Sequence, residues 1–583
     1  MAKTPRAADG AGLFARLNAW LHRVNRRRLQ RRRHAMHRAA ERAWMASDDA
    51  SNPKAAHALL ARFAGLQQPS VLGIVMRPAG HEAVPGWPWQ RRAALTSNWQ
   101  VLTSDPAANL AAVLRAATTD AIALLPADCC LAAHAPALIA EAIARFPNFV
   151  LLYGDEDRVD SDGRRHSPLL HGGWNAELLR STPYLSGLVV ARRDAVCALL
   201  AQDAQLHASG WWDFLLRLTE QAADENIVHI PHVLSHRLAD QRVSQHVAVP
   251  AVDAAGLGVV QQHLGRGGLA AHAVASPMGG VHVRYAVPAP APLVSLIIPT
   301  RNGLQLLRQC VQSVLARTAY APYEIVIVDN GSDDPATLHY LRELQADSRI
   351  RVQRDDRAFN FAALNNAAVP LCRGRVLGFV NNDVEVISAG WLDEMVGLAM
   401  RADVGAVGAR LWFSDATLQH AGVILGIGGV AAHVHQRLAR GQPGYQGRAH
   451  VTQEFSAVTA ACMLMRREVF EQVNGFDEVA FAVDFNDVDL CLRIRRAGHR
   501  VVWTPHAELF HHESATRGAS WSEEKKARQV RGFQRMRERW ASWLDNDPAY
   551  NPNASLKNLD FAFSIAAEPR VSLLQPWFER TIR

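Results

Sequence analysis

Long apolar runs are missing from this chain. No window offers roughly 18 uninterrupted apolar residues, so no bilayer-spanning helix is expected. The best stretch, residues 421–432, is short and rich in glycine. No apolar h-region follows the opening MAKTPRAADGAG, so a secretory signal is not expected either. Cysteine is scarce: seven residues, odd in number and without CxxC spacing, argue against a disulfide framework or zinc ribbon and for a reducing compartment. Charged residues make up only 20% against 49% apolar ones, so most of the 583 residues should be globular, with enough apolar mass for two or three cores.

Acidic residues are nearly absent from one segment. Ten arginines and a single carboxylate, Glu41, lie between Arg16 and Arg42, so this arm alone exceeds the net charge of +8. Phe14, Leu17, Trp20, Leu21 and Val24 recur at helical spacing just before the run RRRLQRRR. A basic amphipathic helix of this kind suits an anionic membrane surface; phosphate neutralisation on nucleic acid and a solvated arm are the other readings.

Residues 68–237 read as an α/β unit. Strand-like runs at 70–76, 121–125, 150–153 and 227–230 alternate with alanine-rich helical stretches. The acidic cluster Asp155, Glu156 and Asp157 could hold a cation, but reads better as a charged turn leading into DSDGRR. A proline-rich seam, 286–294, then serves as an extended linker.

Beyond the seam two strand–helix units follow. Val294 to Pro299 and Tyr323 to Val328 are buried-strand patterns ending in polar turns, and neither is followed by GxGxxG or a P-loop glycine pattern, which counts against a dinucleotide oxidoreductase or P-loop enzyme. A third strand, from Arg375, ends abruptly in Asn381, Asn382 and Asp383. This is the edge where open α/β sheets bind ligands, although Asn/Asp clusters also simply end strands. Asp329 suits a ribose hydroxyl or base edge, because an ionised carboxylate only accepts hydrogen bonds. Without a glycine cradle, a divalent ion is the obvious way to neutralise a diphosphate. Further on, Val488, Cys491, Leu492 and Arg495 fall on helical spacing with Asn486 and Asp487 at the start and Gly498 as a left-handed stop. A carboxylate in that first turn is held in its charged form by the helix dipole.

The succession VSLIIPTRNG, IVIVDNGSDD, FNFAALNNAA, GFVNNDVEV, GWLDEM, SAVTAACMLMRREVF, NGFDE, FNDVDLCLRIRRAGHRVVWTP and ELFHHESATRG resembles family 2 glycosyltransferases of the GT-A fold, especially bacterial enzymes of surface-polysaccharide assembly. The resemblance implies an α/β, Rossmann-like, mostly parallel sheet flanked by helices. It extends faintly to LLYGDEDRVDSDGRRHSPLLHGGWNAELL, a degenerate second unit in which LLPADCC keeps one carboxylate, Asp128. The expected order is a basic arm (1–60), a degenerate GT-A-like domain (68–285), a catalytic GT-A domain (294–518) and a helical tail (519–583).

By the same resemblance Pro299, Thr300 and Asp329 line the nucleoside pocket, and Asn366, Asn381 and Asn382 contact the donor. Asp383 and His511 hold Mg²⁺ or Mn²⁺, with His511 favoured over His512. Asp487 is the general base, and Asp489 is structural. Asn381 stands where the family's DxD motif has its first carboxylate, which weakens the case for the metal. The implied activity is inverting transfer of a hexosyl or deoxyhexosyl group from a UDP-, GDP- or TDP-sugar to a lipid-linked or polysaccharide acceptor. Its setting would be O-antigen-like surface glycan synthesis at the cytoplasmic face of the membrane. A catalytically dead sugar-nucleotide or glycan binder and a nucleic-acid-binding protein remain the alternatives. His433 and His435 alternate as on one strand face and suggest acceptor contact or plain structure, and Trp391 suggests sugar stacking or helix packing.

Overall fold

The computed structural model describes residues 39, 41–46, 53–66, 69–76, 99–104, 115–202, 210–239, 247–512, 523–557 and 570–580. The arginine-rich run, Trp521 and most of the segment after His512 lie outside these residues.

The N-terminal sheet contains β1 (Val71–Met76), β2 (Trp99–Ser104), β3 (Ala121–Pro126), β4 (Cys129–Leu131), β5 (Leu151–Val159), β6 (Arg165–Leu169), β7 (Val189–Arg192) and β8 (Ile227–Leu238). Its order is β2-β1-β3-β7-β5-β8-β4, with β6 beside β5. A hairpin of β9 (Ala271–Ala275) and β10 (Val281–Tyr285) leads to the second sheet. That sheet is built from β11 (Val294–Thr300), β12 (Tyr323–Asp329), β13 (Ile350–Arg354), β14 (Val376–Val380), β15 (Val384–Val386), β16 (Val404–Trp412) and β17 (Leu418–His420). After a separate small pair, β18 (Val423–Leu425) and β19 (Ala431–His433), it is completed by β20 (Gln453–Glu454), β21 (Cys462–Arg466) and β22 (Arg500–His511).

The second order, β13-β12-β11-β14-β21-β16-β22-β15, repeats the first with one strand added at its edge. The signs repeat as well. β1 runs parallel to β2 and β3, as β11 does to β12 and β14; β7 is antiparallel to both its neighbours, as is β21. The chain therefore carries two tandem α/β units of like topology. Strands β11, β12, β14 and β21 are almost wholly apolar and buried on both faces, which is why they read as continuous hydrophobic runs rather than alternating ones.

The acidic cluster of the first unit is not a turn. Asp155, Glu156 and Asp157 lie inside β5 and are buried. Each carboxylate is met by partners distant in sequence. Asp155 accepts from Asn551 Nδ2 (2.8 Å) and lies 2.9 Å from His229 Nε2; Asp157 pairs with Arg165 (2.7 Å) and His236 (2.5 Å); Glu156 accepts from Ser186 (2.6 Å). Buried charge persists only when it is paired and hydrogen-bonded in this way.

The C-terminal helix Glu523–Asp545 buries Met536, Trp540 and Leu544 against the second unit. The turn-rich segment after it crosses to the first unit, where Asn551 and Asn553 bond to Asp155 and to the carbonyl of Pro231. The tail thus joins the two sheets. The sheets also meet through buried Glu177, which takes Arg401 at 2.5 Å and Tyr285 Oη at 3.0 Å. Burial alone would raise the Glu177 carboxyl, but the guanidiniums of Arg401 and Arg180 beside it hold it well below its ordinary range.

Candidate functional site

Strand β14 ends at Val380, and the next three residues turn the chain into β15 at the sheet's ligand-binding edge. Antiparallel pairing of β15 with β22 sets Val384 opposite His511. That register brings the His511 Nε2 to 3.1 Å from Asp383 Oδ1 and 3.1 Å from Asn381 Nδ2. His512 points elsewhere, with Nε2 3.2 Å from Glu385 and Nδ1 2.8 Å from Ser414 Oγ. Gln419, buried in the middle of β17, places its Oε1 2.7 Å from His511 Nδ1. A neutral imidazole donating Nδ1–H to that oxygen carries its lone pair on Nε2, facing Asp383.

Two acceptors 3.1 Å apart fit a cation held between them. The donor set, one carboxylate oxygen and one imidazole, suits Mn²⁺ or Mg²⁺ once diphosphate oxygens and water complete the shell. No group of three or more His, Cys, Asp or Glu side chains placed to hold a metal occurs among the described residues, so the protein supplies only part of such a shell. Asn381 adds no charge, and its amide instead faces His511.

Asn382 Nδ2 donates to Thr300 Oγ1 at 2.9 Å, tying the tip of β14 to that of β11. Asp329, at the tip of β12 and only 2% exposed, accepts from Ser332 N (3.0 Å) and from Arg354 (2.7 Å). Pro299 sits beside Thr300 in β11, in register with Val328. Pro299, Thr300, Asp329, Asn381, Asn382, Asp383 and His511 therefore share one rim.

Asp487 joins the same rim from another element. The helix Asn486–Arg496 starts after Phe485, which takes a left-handed φ of 63°, and Asp487 stands in its first turn. Its Oδ2 accepts from Ala460 N at 3.2 Å, while the neighbouring Ala461 carbonyl accepts from Asn381 N at 3.0 Å. Two consecutive residues thus carry the Asp487 carboxylate on one side and the tip of β14 on the other. Asp489 is fully buried and turned inward. It accepts from Arg493 (2.8 Å), Arg539 (2.9 Å) and the Trp540 indole (3.0 Å).

The structure places four further residues, and at Trp391 it bears out the helix-packing reading. Asn366 does not reach the rim: both ends of its amide clamp Phe476, donating to the carbonyl at 2.8 Å and accepting from the N–H at 3.0 Å. Trp391 is wholly buried with its indole on Thr318, so it packs a helix and stacks on no sugar. His433 and His435 share no strand face, because His433 ends β19 while His435 adopts a left-handed φ of 56°. His433 instead lies 3.0 Å from His420, whose imidazole burial keeps neutral, its pKa well below the ordinary value. Gln419, His420 and Arg354 carried no recognisable signal in the sequence.

Residues 295–473 match the model of the glycosyl transferase family 2. This stretch of the second sheet is thus similar to family 2 glycosyltransferases. Related chains include an uncharacterised protein, y4gI, of Sinorhizobium fredii, 41% identical over 449 residues, covering 76% of this chain and 49% of the relative. The O-antigen biosynthesis protein RfbC of Myxococcus xanthus is 37% identical over 446 residues, covering 76% of this chain and 34% of the relative. The chain thus spans about half the length of the first relative and about a third of the second. A mannosyltransferase of Pyrobaculum calidifontis, solved with GDP-Man and Mn²⁺, is 17% identical, with a TM-score of 0.31 over 42% of this chain and 62% of its own. The matched residues span the rim from β11 to β21, whereas Asp487 and His511 lie beyond them.

Proposed function

We propose that this protein moves a sugar from a nucleoside-diphosphate donor to a glycan or lipid-linked acceptor, with inversion, during surface-glycan assembly of the O-antigen kind. The observation that carries the proposal is the shared rim. The Asp383–His511 pair and the Asp487 carboxylate flank one edge of the second sheet and are joined through Ala460 and Ala461.

In this reading Pro299, Thr300 and Asp329 seat the nucleoside, with Arg354 donating to the Asp329 carboxylate and holding it in place. Asn381 and Asn382 orient the diphosphate. Asp383 and His511 would hold Mn²⁺ or Mg²⁺, which neutralises the diphosphate and eases its departure. Asp487 takes the proton from the acceptor hydroxyl as that oxygen forms its bond to the anomeric carbon opposite the leaving nucleotide. Displacement from the opposite face inverts the anomeric configuration. The relative named for O-antigen biosynthesis supports the surface-glycan setting. The arginine-rich arm supports a place on an anionic membrane face.

A thermal-shift screen with UDP-, GDP- and TDP-sugars, each with Mn²⁺, tests the reading, because a ligand that binds only the folded state raises the melting temperature. One nucleotide class should stabilise the protein, with EDTA abolishing most of the shift. A screen with no shift from any nucleotide would refute donor binding.

Gln419 provides a second test. Outer partners of a ligating histidine typically contribute 10–100-fold to metal affinity. Titrating Mn²⁺ in the presence of the stabilising nucleotide should show affinity about tenfold or more weaker in Gln419→Ala and largely kept in Gln419→Glu. Equal affinity in Gln419→Ala would remove Gln419 from the site.

A further inference from the structure

The pairing registers align the two units residue by residue. β14 pairs β21 with Val376 opposite Arg466, and β3 pairs β7 with Ala121 opposite Arg192. Arg466 thus corresponds to Arg192, and RREVF after β21 runs beside RRDAV after β7. Val384 lies opposite His511, and Cys129 lies opposite Arg237. Asp383 therefore corresponds to Asp128, and His511 to Arg237. Where the second unit sets an imidazole 3.1 Å from its carboxylate, the first sets a guanidinium 2.5 Å from its own. A fixed cation stands in the seat of an exchangeable one.

The base position has changed as well. The i,i+4 pair Asp489–Arg493 of the helix Asn486–Arg496 is repeated as Asp213–Arg217 in the helix Gly210–Thr219. Asp487 then aligns with Trp211, whose indole donates to the Leu185 carbonyl at 2.7 Å. The first unit thus places a guanidinium and an indole where its twin has an imidazole and a carboxylate.

What it keeps is a cavity. About 640 Å³ of space is lined by Arg158, His171, Tyr184 and Trp212 of the first unit and closed by Tyr445 and Arg448 of the second. Ser186 lines it too, and Ser186 aligns with Ala460, the residue that holds Asp487. By that alignment the cavity occupies the first unit's counterpart of the acceptor side. Its volume lies within the range of small-ligand pockets, and its walls combine aromatic faces with a few polar groups.

The charged groups are unequal in number. Arg448 is only 7% exposed, held through Nε by Gln453 Oε1 at 2.7 Å, with its guanidinium over the Phe455 ring. Burial draws its pKa down to about 10, so it remains charged at neutral pH among Tyr153, Tyr184 and Tyr445. Arg158 adds a second cation. The one carboxylate on the lining, Asp253, caps a helix by accepting from Gly256 N at 2.9 Å. Asp155 and Glu156 behind the wall are taken by Asn551 and Ser186.

We propose that this cavity binds an acidic saccharide, a uronate-bearing stretch of the acceptor glycan, with Arg158 and Arg448 receiving carboxylate and the aromatic rings receiving the sugar faces. The proposal rests on the glycosyltransferase reading: the first unit would hold the chain that the second extends. A guanidinium meets a carboxylate through two parallel hydrogen bonds, which a neutral sugar cannot match.

The test titrates trigalacturonate, with maltotriose as a neutral probe of equal length, into the full-length protein, and measures Mn²⁺–nucleotide affinity on the same samples. Trigalacturonate should bind the wild type, and affinity should fall roughly tenfold or more in both Arg448→Gln and the half-buried Arg158→Gln. Maltotriose should bind much more weakly, and nucleotide affinity should not change. Absence of trigalacturonate binding, equal binding of maltotriose, or full affinity in Arg158→Gln would overturn the proposal. If nucleotide binding persists while trigalacturonate fails, only the cavity assignment falls; loss of nucleotide binding by the wild type would strike the transferase reading itself.

Discussion

Replacing Asp487 by Asn lowers turnover by roughly 10²-fold or more while nucleotide-sugar affinity stays near that of the wild type. The carboxylate is half-buried, stands in the first turn of a helix, and is anchored by Ala460 N at 3.2 Å. Asn keeps the shape and the acceptor oxygen but cannot take a proton from a hydroxyl. Steady-state kinetics with the donor found by thermal shift separates the two effects. Turnover within a few-fold of wild type would remove Asp487 as the base.

Asp489, two residues on, behaves in the opposite way. Its carboxylate is fully buried and accepts from Arg493, Arg539 and Trp540, so Asp489→Ala leaves a guanidinium and an indole without their acceptor. Removing one partner of a buried charge pair costs about 3–5 kcal/mol, and the same change detaches the C-terminal helix from the helix that carries Asp487. Denaturant unfolding should show a loss of that size in Asp489→Ala and little loss in Asp487→Asn. Equal stability in both variants would mean that the tail does not brace the base helix.

The contrast between these aspartates shows what the sequence reveals and where it stops. Helical spacing put Asp487 and Asp489 in one first turn, and the ordered motifs separated their roles. The strand tips at Thr300, Asp329 and Asp383 were legible because buried apolar runs ended abruptly in polar residues. The partners that give those tips their chemistry were not. Gln419 reaches His511, and Arg354 reaches Asp329, only through strand register. Asp155 to Asp157 read as a turn because their satisfying groups, His229, His236 and Asn551, arrive from distant segments. Asn366 had the right neighbourhood, but its amide is spent on Phe476. Alternation misled at His433 and His435, where glycine-rich chain turns rather than extends. The tandem repeat surfaced as a faint likeness in sequence; its depth became plain only when matching strand registers set Arg237 against His511 and the repeated i,i+4 ion pair set Trp211 against Asp487.

The central claim is that one rim, in the second unit alone, seats the cation and the sugar diphosphate beside Asp487. Electron paramagnetic resonance of Mn²⁺ titrated into the wild type, Asp383→Asn, Asp128→Asn and Asp487→Asn, each with the stabilising nucleotide, reads this directly. The account predicts a single bound ion per chain, lost in Asp383→Asn and kept in the other two variants. Two ions in the wild type, or full binding by Asp383→Asn, would contradict it.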